Sequence, residues 1–466
     1  MPNAEHLTAR RESRRAVSIS GKNYPNNVDI FLLINQNKCA KIILKTNVLD
    51  GGMDMERVIL HSDLNNFYAS VACRLHPELR EHAVIVSGDP ERRHGIVLAK
   101  NMRAKACGVR TAEPLWQALR KCPDAVIVPP EFEQYAKFSA QARRIYQDYT
   151  DQVESFGIDE CWLDVTGSRG ICGTGRKIAE EIRARIRLEL GVTVSVGVSF
   201  NKIFAKLGSD LRKPDAVTVI SSENFQRKIW GLPAGELLYV GQATTRKLQK
   251  YAINTIGDLA QADPHFLTTI LGVTGQKLWR FANGLDYSPV QRVGDREAIK
   301  SIGNSTTAPR DLISDQDVRI TLYALSECVA QRLREYGMVC MSVKLQVRDT
   351  DLASYERQGR LEVPTCSSEA LFQRAYALFR ENKPPERIRS LGITAASLER
   401  SDGVQLSLIP EIASAQRHER LEYVVDELRE KYGKDIIRRG VMMMDPDLGG
   451  VQLQGDHTIN VRVQRI

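Results

Sequence analysis

Three carboxylates in this chain have the types and the placement to hold hard cations. Asp63 follows the β-type run "RVILHS", and Asp159-Glu160 lies inside "FGIDECWLDVT", between two more short β-type runs. If those strands are neighbours, a tight hairpin turn brings all three side chains to one end of a sheet. Packed together they repel unless neutralised, and carboxylate oxygens with a few waters suit Mg²⁺. Two such ions about 3.5–4 Å apart hold both the attacking and the leaving oxygen of an in-line phosphoryl transfer. Taken singly, the same residues have plainer readings. An Asp-Glu pair in a turn is ordinary solvated surface, and Asp63 alone would serve as a cap for a helix over "NNFYASV".

The elements needed to assemble such a site are readable around it. "RVILHSDL" is a buried strand and "NNFYASVACRL" has helical apolar spacing; "HAVIVSGD" is a second strand. "IVLAKNMRAKACGV" runs from strand into a basic helix stopped by Gly108, and a long helix covers 132–150. The hairpin follows, then a helix over "RKIAEEIRARIRLELG" and a strand over "VTVSVGVS". Without strict βαβ alternation, this predicts an α+β sheet with antiparallel pairs and helices on one face. From about Ser221 to Pro289 the chain reads as helical with Gly-punctuated turns. Between Ala298 and about Arg400, strands and two helices predict a small separate α/β sandwich. Past Ser401 comes a linker, then an amphipathic helix over "RHERLEYVVDELREKYG" with Leu421, Val424, Val425 and Leu428 on one stripe.

A length of 466 residues predicts two to four domains. With 42% hydrophobic and 26% charged residues and no apolar run of bilayer length, a soluble, cytoplasmic protein is expected. Lys plus Arg outnumber Asp plus Glu by 65 to 57, a net +8 that suits a polyanionic partner but equally a merely basic soluble chain. The nine cysteines form no C-x-x-C pair and no Cys/His cluster at zinc spacing, so they read as reduced thiols, most of them buried. Residues 1–54 form an extension of different character: "TARRESRRAVSIS" is basic, and "IFLLI" is too short for the core of a signal peptide. Asp50-Gly51-Gly52 is encodable as a ribosome-binding sequence just before Met55. One hypothesis is therefore a mis-called start, with translation beginning at Met53 or Met55; N-terminal sequencing of native protein that finds Met1 or Pro2 rejects it.

Four stretches carry a resemblance: "HSDLNNFYASV", "GIVLAKNMRAKACGV", "FGIDECWLDVT" and "GVSFNKIFAKLGSDLRKP". In order and spacing they resemble the Y-family DNA polymerases, specifically the bacterial DinB or DNA polymerase IV branch, with the likeness running from about Glu56 to Leu398. The resemblance implies an α+β, multidomain right-hand polymerase. Its palm would be 55–74 and 130–220, its small fingers 75–129, its helical thumb 221–290 and its little finger 298–400. Residues 401–466 would be a linker with a clamp-binding peptide and a C-terminal helix. The implied activity is template-directed addition of deoxynucleotides to a primer 3′-hydroxyl, with low fidelity, in translesion synthesis. Implied partners are primer-template DNA, deoxynucleoside triphosphates and the sliding clamp, with two Mg²⁺ ions, no membrane and a monomeric state. The alternative is a DNA- and clamp-binding scaffold with little catalysis, against which the intact carboxylate trio argues. Nucleotide cyclases need a Gly-rich signature that this chain lacks.

By the same resemblance, Asp63 and Asp159 bridge the two ions, Glu160 completes the one that activates the primer hydroxyl, and the Leu64 carbonyl adds a backbone ligand. Tyr68 falls at the steric gate, where an aromatic ring under the sugar leaves no room for a 2′-hydroxyl. Lys105 and Lys206 would bind the triphosphate. The family commonly has Tyr and Arg where this chain has Met102 and Lys105, so a point charge replaces a guanidinium fork. Asn65 and Ala72 replace acidic residues that are not ligands in the family pattern. "LYVGQATTRKLQKYAINTIGDLA" resembles a DNA-binding helix-hairpin-helix in which Tyr239 stands at the first glycine and Gly241 remains for phosphate contact. Lys300 and Ser301, opening "KSIGNSTTAPRD", and Arg348 in "KLQVRD" would lie along DNA. "QLSLI", formed by Gln405, Leu406, Ser407, Leu408 and Ile409, resembles the peptide through which bacterial polymerases bind the sliding clamp.

Overall fold

The structure, a computed structural model, describes residues 56–450 apart from 92, 94, 296–297, 383–385, 402–409 and 434–435, together with the backbone of three strands before residue 47. The clamp-peptide stretch Gln405–Ile409 therefore lies outside the described residues. The early strands, Ala16–Ser18, Val28–Leu33 and Lys41–Thr46, form an antiparallel sheet within a compact unit of residues 1–56. Residues 57–466 form the other unit. No described helix is long and apolar enough to cross a membrane.

The carboxylates sit on a five-stranded sheet ordered Val217–Ile220, Val194–Ser199, Ile59–Leu64, Glu160–Asp164, Val153–Ser155. Only the first pair is parallel. Ile59–Leu64 lies at the centre and is buried at every position, and its three polar residues, His61, Ser62 and Asp63, all take partners inside the protein. Leu60 and Leu64 pack on a core built with the helices Phe67–Leu75, Phe132–Gln147 and Gly175–Arg185. Ile59, His61 and Asp63 face the helix Lys202–Leu211 instead.

Helices therefore cover both faces of this sheet, where the sequence pattern predicted one. The reason is a pair of glycines. A Cβ on Gly197 would collide with the carbonyl oxygen of Ala205, and Gly208 packs against the Gly197 backbone, so the helix lies directly on the strand. Asn201 starts that helix by accepting a bond from the Phe204 amide at 2.8 Å.

Inserted between Leu75 and Phe132 is a smaller unit. Its three strands, ordered Val97–Lys100, Val84–Ser87, Val126–Val128, carry the helices Met102–Ala106 and Leu115–Lys121 over a core of Ile85, Val97, Ala104, Val109, Leu115, Ala118 and Cys122. Residues 225–282 are helical, as the punctuated pattern predicted, around Leu248, Leu259, Leu267 and Leu278. The chain then returns along the first sheet: Val290 buries itself beside Ile59 and Trp162, and the Val293 amide bonds to the Asp151 carbonyl at 2.8 Å.

The predicted α/β sandwich is present as a four-stranded antiparallel sheet ordered Ser301–Leu312, Ile388–Arg400, Met338–Asp349, Ser354–Thr365. The helices Asp315–Glu335 and Ser368–Glu381 cover one face, burying Val343, Leu345 and Val347. The C-terminal helix is longer than expected, Pro410–Tyr432, and docks through charge. Arg334 pairs with Glu422 and Asp426, both at 2.6 Å, and Arg429 and Arg439 each reach Glu327 at 2.9 Å. Leu421 and Val424 remain 59% and 50% exposed while Val425 and Leu428 are half-buried, so only part of the apolar stripe turns inward. A buried guanidinium needs its carboxylates more than the domain needs two more aliphatic contacts.

Candidate active site

Strand register brings the carboxylates together. Asp63 pairs directly with Glu160 across the antiparallel strands, so both side chains leave the same face. Leu64 donates its amide to the Asp159 carbonyl at 3.0 Å, which fixes the residue preceding the pair against the end of the central strand. Glu160 is the first residue of its strand, and the turn occupies Phe156 to Asp159. Asp63 is 4% exposed.

Two lysines, Lys206 on the helix lying over this face and Lys213 two residues past its end, neutralise the acids. Lys206 Nζ stands 3.1 Å from Asp63, 2.9 Å from Glu160 and 3.4 Å from Asp210. Lys213 Nζ stands 2.7 Å from both Asp63 and Asp210. Burial works against the charge of Lys206, but Asp63, Glu160 and Asp210 outweigh it and raise its pKa. For Asp159 the balance goes the other way: burial first, then the charges of Asp63 and Glu160, push its carboxyl up to about 6 against a smaller opposing pull from Lys206. Lys213, Asp210 and the buried His61 were not singled out from sequence. The signal available for Asp210 was its i, i+4 spacing from Lys206 on one helix; Lys213 lies beyond the helix end at Leu211 and carried none.

His61 bonds through Nδ1 to Ser209 Oγ at 2.9 Å and turns Nε2 toward Glu160 Oε2 at 3.4 Å. Burial, then the Lys206 charge, lowers its pKa to about 3, so it is neutral. Both atoms of that 3.4 Å approach lack a hydrogen bond.

Among the described residues no three His, Cys, Asp or Glu side chains are arranged to hold a metal ion as they stand. The expected trio is adjacent, yet the Lys206 ammonium occupies the space between Asp63 and Glu160. The donor set still fits a divalent cation: hard oxygens, a positive charge already stabilised between two of them, and a buried Glu160 oxygen without a partner.

Tyr68 stacks on Tyr135 with ring centroids 4.1 Å apart and planes 8° from parallel, edge-on to Phe132. Burial, then the Asp159 charge, raises its pKa. Lys105 is exposed on the short helix Met102–Ala106 of the inserted unit, apart from the lysine pair. Gly241 is the exposed N-cap of the helix Gln242–Gln249, and Tyr239 adopts φ 73°, the left-handed conformation that favours glycine. Lys300 is exposed just before its edge strand. Ser301 and Arg348 share the sheet face away from the helices; Ser301 is level with Ser342, six residues from Arg348, about 20 Å along the strand direction.

The sequence pattern of the impB/mucB/samB family matches residues 62–210, and that of the family's C-terminal domain matches 299–408. DNA polymerase IV of Acetivibrio thermocellus is 51% identical over 399 residues, covering 85% of this chain and 100% of the relative. The chain belongs to the DNA polymerase IV family. Other members include DNA polymerase IV of Pelotomaculum thermopropionicum, 38% identical over 83% of this chain and 95% of its own length, and DNA polymerase IV 2 of Bacillus subtilis, 36% identical over 84% and 96%. A solved Y-family DNA polymerase chimera shares the fold with a TM-score of 0.65 at 24% identity, over 74% of this chain and 99% of that one. Y-family membership brings a right-hand polymerase architecture and a general use of divalent metal ions.

Proposed function

We propose that this chain is a low-fidelity translesion DNA polymerase whose chemistry takes place at Asp63, Asp159 and Glu160. The observation that carries the assignment is the register Asp63 opposite Glu160, with Asp159 tied to Leu64 at the strand end. Two Mg²⁺ ions held by these carboxylates and the Leu64 carbonyl would supply charge neutralisation at the attacking and leaving oxygens. The chain's own residues do the positioning. Lys206 holds Asp63 and Glu160 close against their repulsion, and once they are otherwise engaged its ammonium turns to the triphosphate, with Lys213 beside it. Tyr68, braced by Tyr135, gates the sugar.

In this reading the five-stranded sheet is the palm, the inserted unit 75–129 the fingers with Lys105, and 221–290 the thumb with Gly241 at the primer-template backbone. The sandwich 298–400 is the little finger, where Lys300, Ser301 and Arg348 track DNA phosphates. Spacing of about 20 Å suits contact along a groove better than at one point. The linker peptide Gln405–Ile409 binds the sliding clamp, and the polymerase acts as a monomer.

Primer extension with all four dNTPs and Mg²⁺, comparing the native chain with Asp159→Ala and Glu160→Ala, tests the core assignment. Short, distributive extension lost in both variants supports it. Failure of the native chain to extend a primer it binds would sink the assignment in favour of a DNA- and clamp-binding scaffold.

A further inference from the structure

The inserted unit contains a thiol pair that polymerase chemistry does not use. Cys122 Sγ donates to Cys107 Sγ at 3.1 Å, across 15 residues of sequence. Cys107 is the C-cap of the helix Met102–Ala106 and Cys122 the C-cap of Leu115–Lys121, so the contact joins the ends of the two helices that cover the small sheet. Lys121 already draws these ends together, donating to the Gly108 carbonyl at 3.2 Å and pairing with Glu113. The sulfurs lie about 1 Å beyond the length of a disulfide bond.

Their environments differ in the way a two-thiol redox pair requires. Cys107 is exposed, whereas Cys122 is 5% exposed in the core with Ile85, Val97 and Ala118. Burial, then the neighbouring Cys107, pushes the Cys122 thiol up to about 11, so it does not compete for an oxidant in solvent.

We propose that Cys107 and Cys122 are a redox modification site: exposed Cys107 reacts with a peroxide, and buried Cys122 resolves it into a reversible disulfide that staples the two helices. In the first step the Cys107 thiolate attacks a peroxide oxygen, the O–O bond breaks, and water leaves after protonation, giving a sulfenic acid. In the second, Cys122 sulfur attacks Cys107 sulfur; the S–O bond breaks, and the hydroxyl leaves as water with the Cys122 proton. Two thiols and one hydrogen peroxide become one disulfide and two waters, the sulfurs losing the two electrons that the peroxide gains. A dithiol reverses the bond by exchange. Closing the bond pulls the end of the helix that carries Lys105, two residues before Cys107. If Lys105 meets the triphosphate, the staple lowers the apparent affinity for dNTP; the bond itself forms whether or not that assignment holds.

The test treats the full chain with equimolar hydrogen peroxide, blocks remaining thiols by alkylation, and maps peptides without reduction. The expected result is one cross-linked pair joining Cys107 to Cys122, two hydrogens lighter than the thiols and cleaved by dithiothreitol. It should be absent in Cys107→Ser, whose exposed site tolerates the change, and in Cys122→Ala, which keeps a small apolar group in the core. In Cys122→Ala, Cys107 should stop at the sulfenic acid, trapped by dimedone, and reach the sulfinic acid only with a second equivalent of peroxide. A native chain in which Cys107 remains a dimedone-reactive sulfenic acid while Cys122 remains alkylatable overturns the proposal, as does a disulfide that forms at other cysteines instead. Single-nucleotide insertion then reads the consequence: a several-fold rise in the KM for dNTP on oxidation, reversed by dithiothreitol and missing from Cys107→Ser, is expected.

Discussion

Two parts of this molecule bury acids against bases, and they do so with opposite chemistry. At the end of the five-stranded sheet, three carboxylates (Asp63, Glu160, Asp210) meet two lysines, and Asp159 beside them is pushed up to about 6. In the C-terminal sandwich, arginines do the work: Arg334 holds Glu422 and Asp426 and donates to the Cys366 carbonyl, while Arg310 joins Asp317 to Asp445. There the shift reverses, since the Arg310 bond, aided by the Ile313 and Ser314 amides, lowers the Asp317 carboxyl. An ammonium is a mobile point charge and a guanidinium a fixed fork. The first cluster is short of positive charge and ready to exchange cations, whereas the second is closed and serves structure.

The sharpest way to break this contrast is to remove one charge from each region. Asp159→Asn should reduce primer extension by on the order of 10³-fold. It should leave the thermal midpoint in metal-free buffer unchanged or higher, because it relieves like-charge repulsion. Arg334→Ala should do the reverse, costing about 3–5 kcal/mol in urea unfolding by taking from Asp426 its cation and leaving Glu422 with Arg439 at 3.3 Å. Loss of stability in Asp159→Asn comparable to that in Arg334→Ala would show that the two clusters are alike.

Tyr68 extends the comparison to a rigid neighbour of the open cluster. Its ring is set by the stack on Tyr135, so Tyr68→Ala should raise ribonucleotide insertion by about tenfold to a hundredfold while changing deoxynucleotide insertion much less. Equal changes for both sugars would remove the gate and leave Tyr68 a core aromatic.

How much of this was legible follows from what each feature depends on. Asp63 and Asp159-Glu160 end recognisable strands, and once the strands pair antiparallel their meeting is geometric. The second helical layer was hidden because it depends on Gly197 meeting Gly208, two residues that advertise nothing singly. Lys213 lies past the helix end at Leu211, so its place beside Asp63 depends on how the chain leaves a helix on the sheet face that was expected to be bare. The C-terminal helix misled by offering Leu421 and Val424 at helical spacing; Glu422 and Asp426 share that period, and what selects them is Arg334, some ninety residues away. Tyr239 shows the opposite case, in which a backbone geometry survives the loss of the glycine that usually marks it.

The smallest expected effect is in the pH dependence of folding, where the two regions should pull in opposite directions. Asp159 binds its proton more tightly folded than unfolded, so its contribution to stability is full below the ordinary carboxylate range and is lost as pH rises through about 6. Asp317 binds its proton less tightly folded, so its contribution is present above that range and is lost as pH falls through and below it. Thermal melts in metal-free buffer should therefore show Asp159→Asn flattening the slope between about pH 4 and 6, and Asp317→Asn flattening it only below about pH 4. Mg²⁺ should abolish the first slope, because cations at the carboxylates favour the charged form, and leave the second untouched. A slope near pH 6 that survives Mg²⁺ would place its origin outside the Asp63, Asp159 and Glu160 cluster and remove the electrostatic distinction between the two regions.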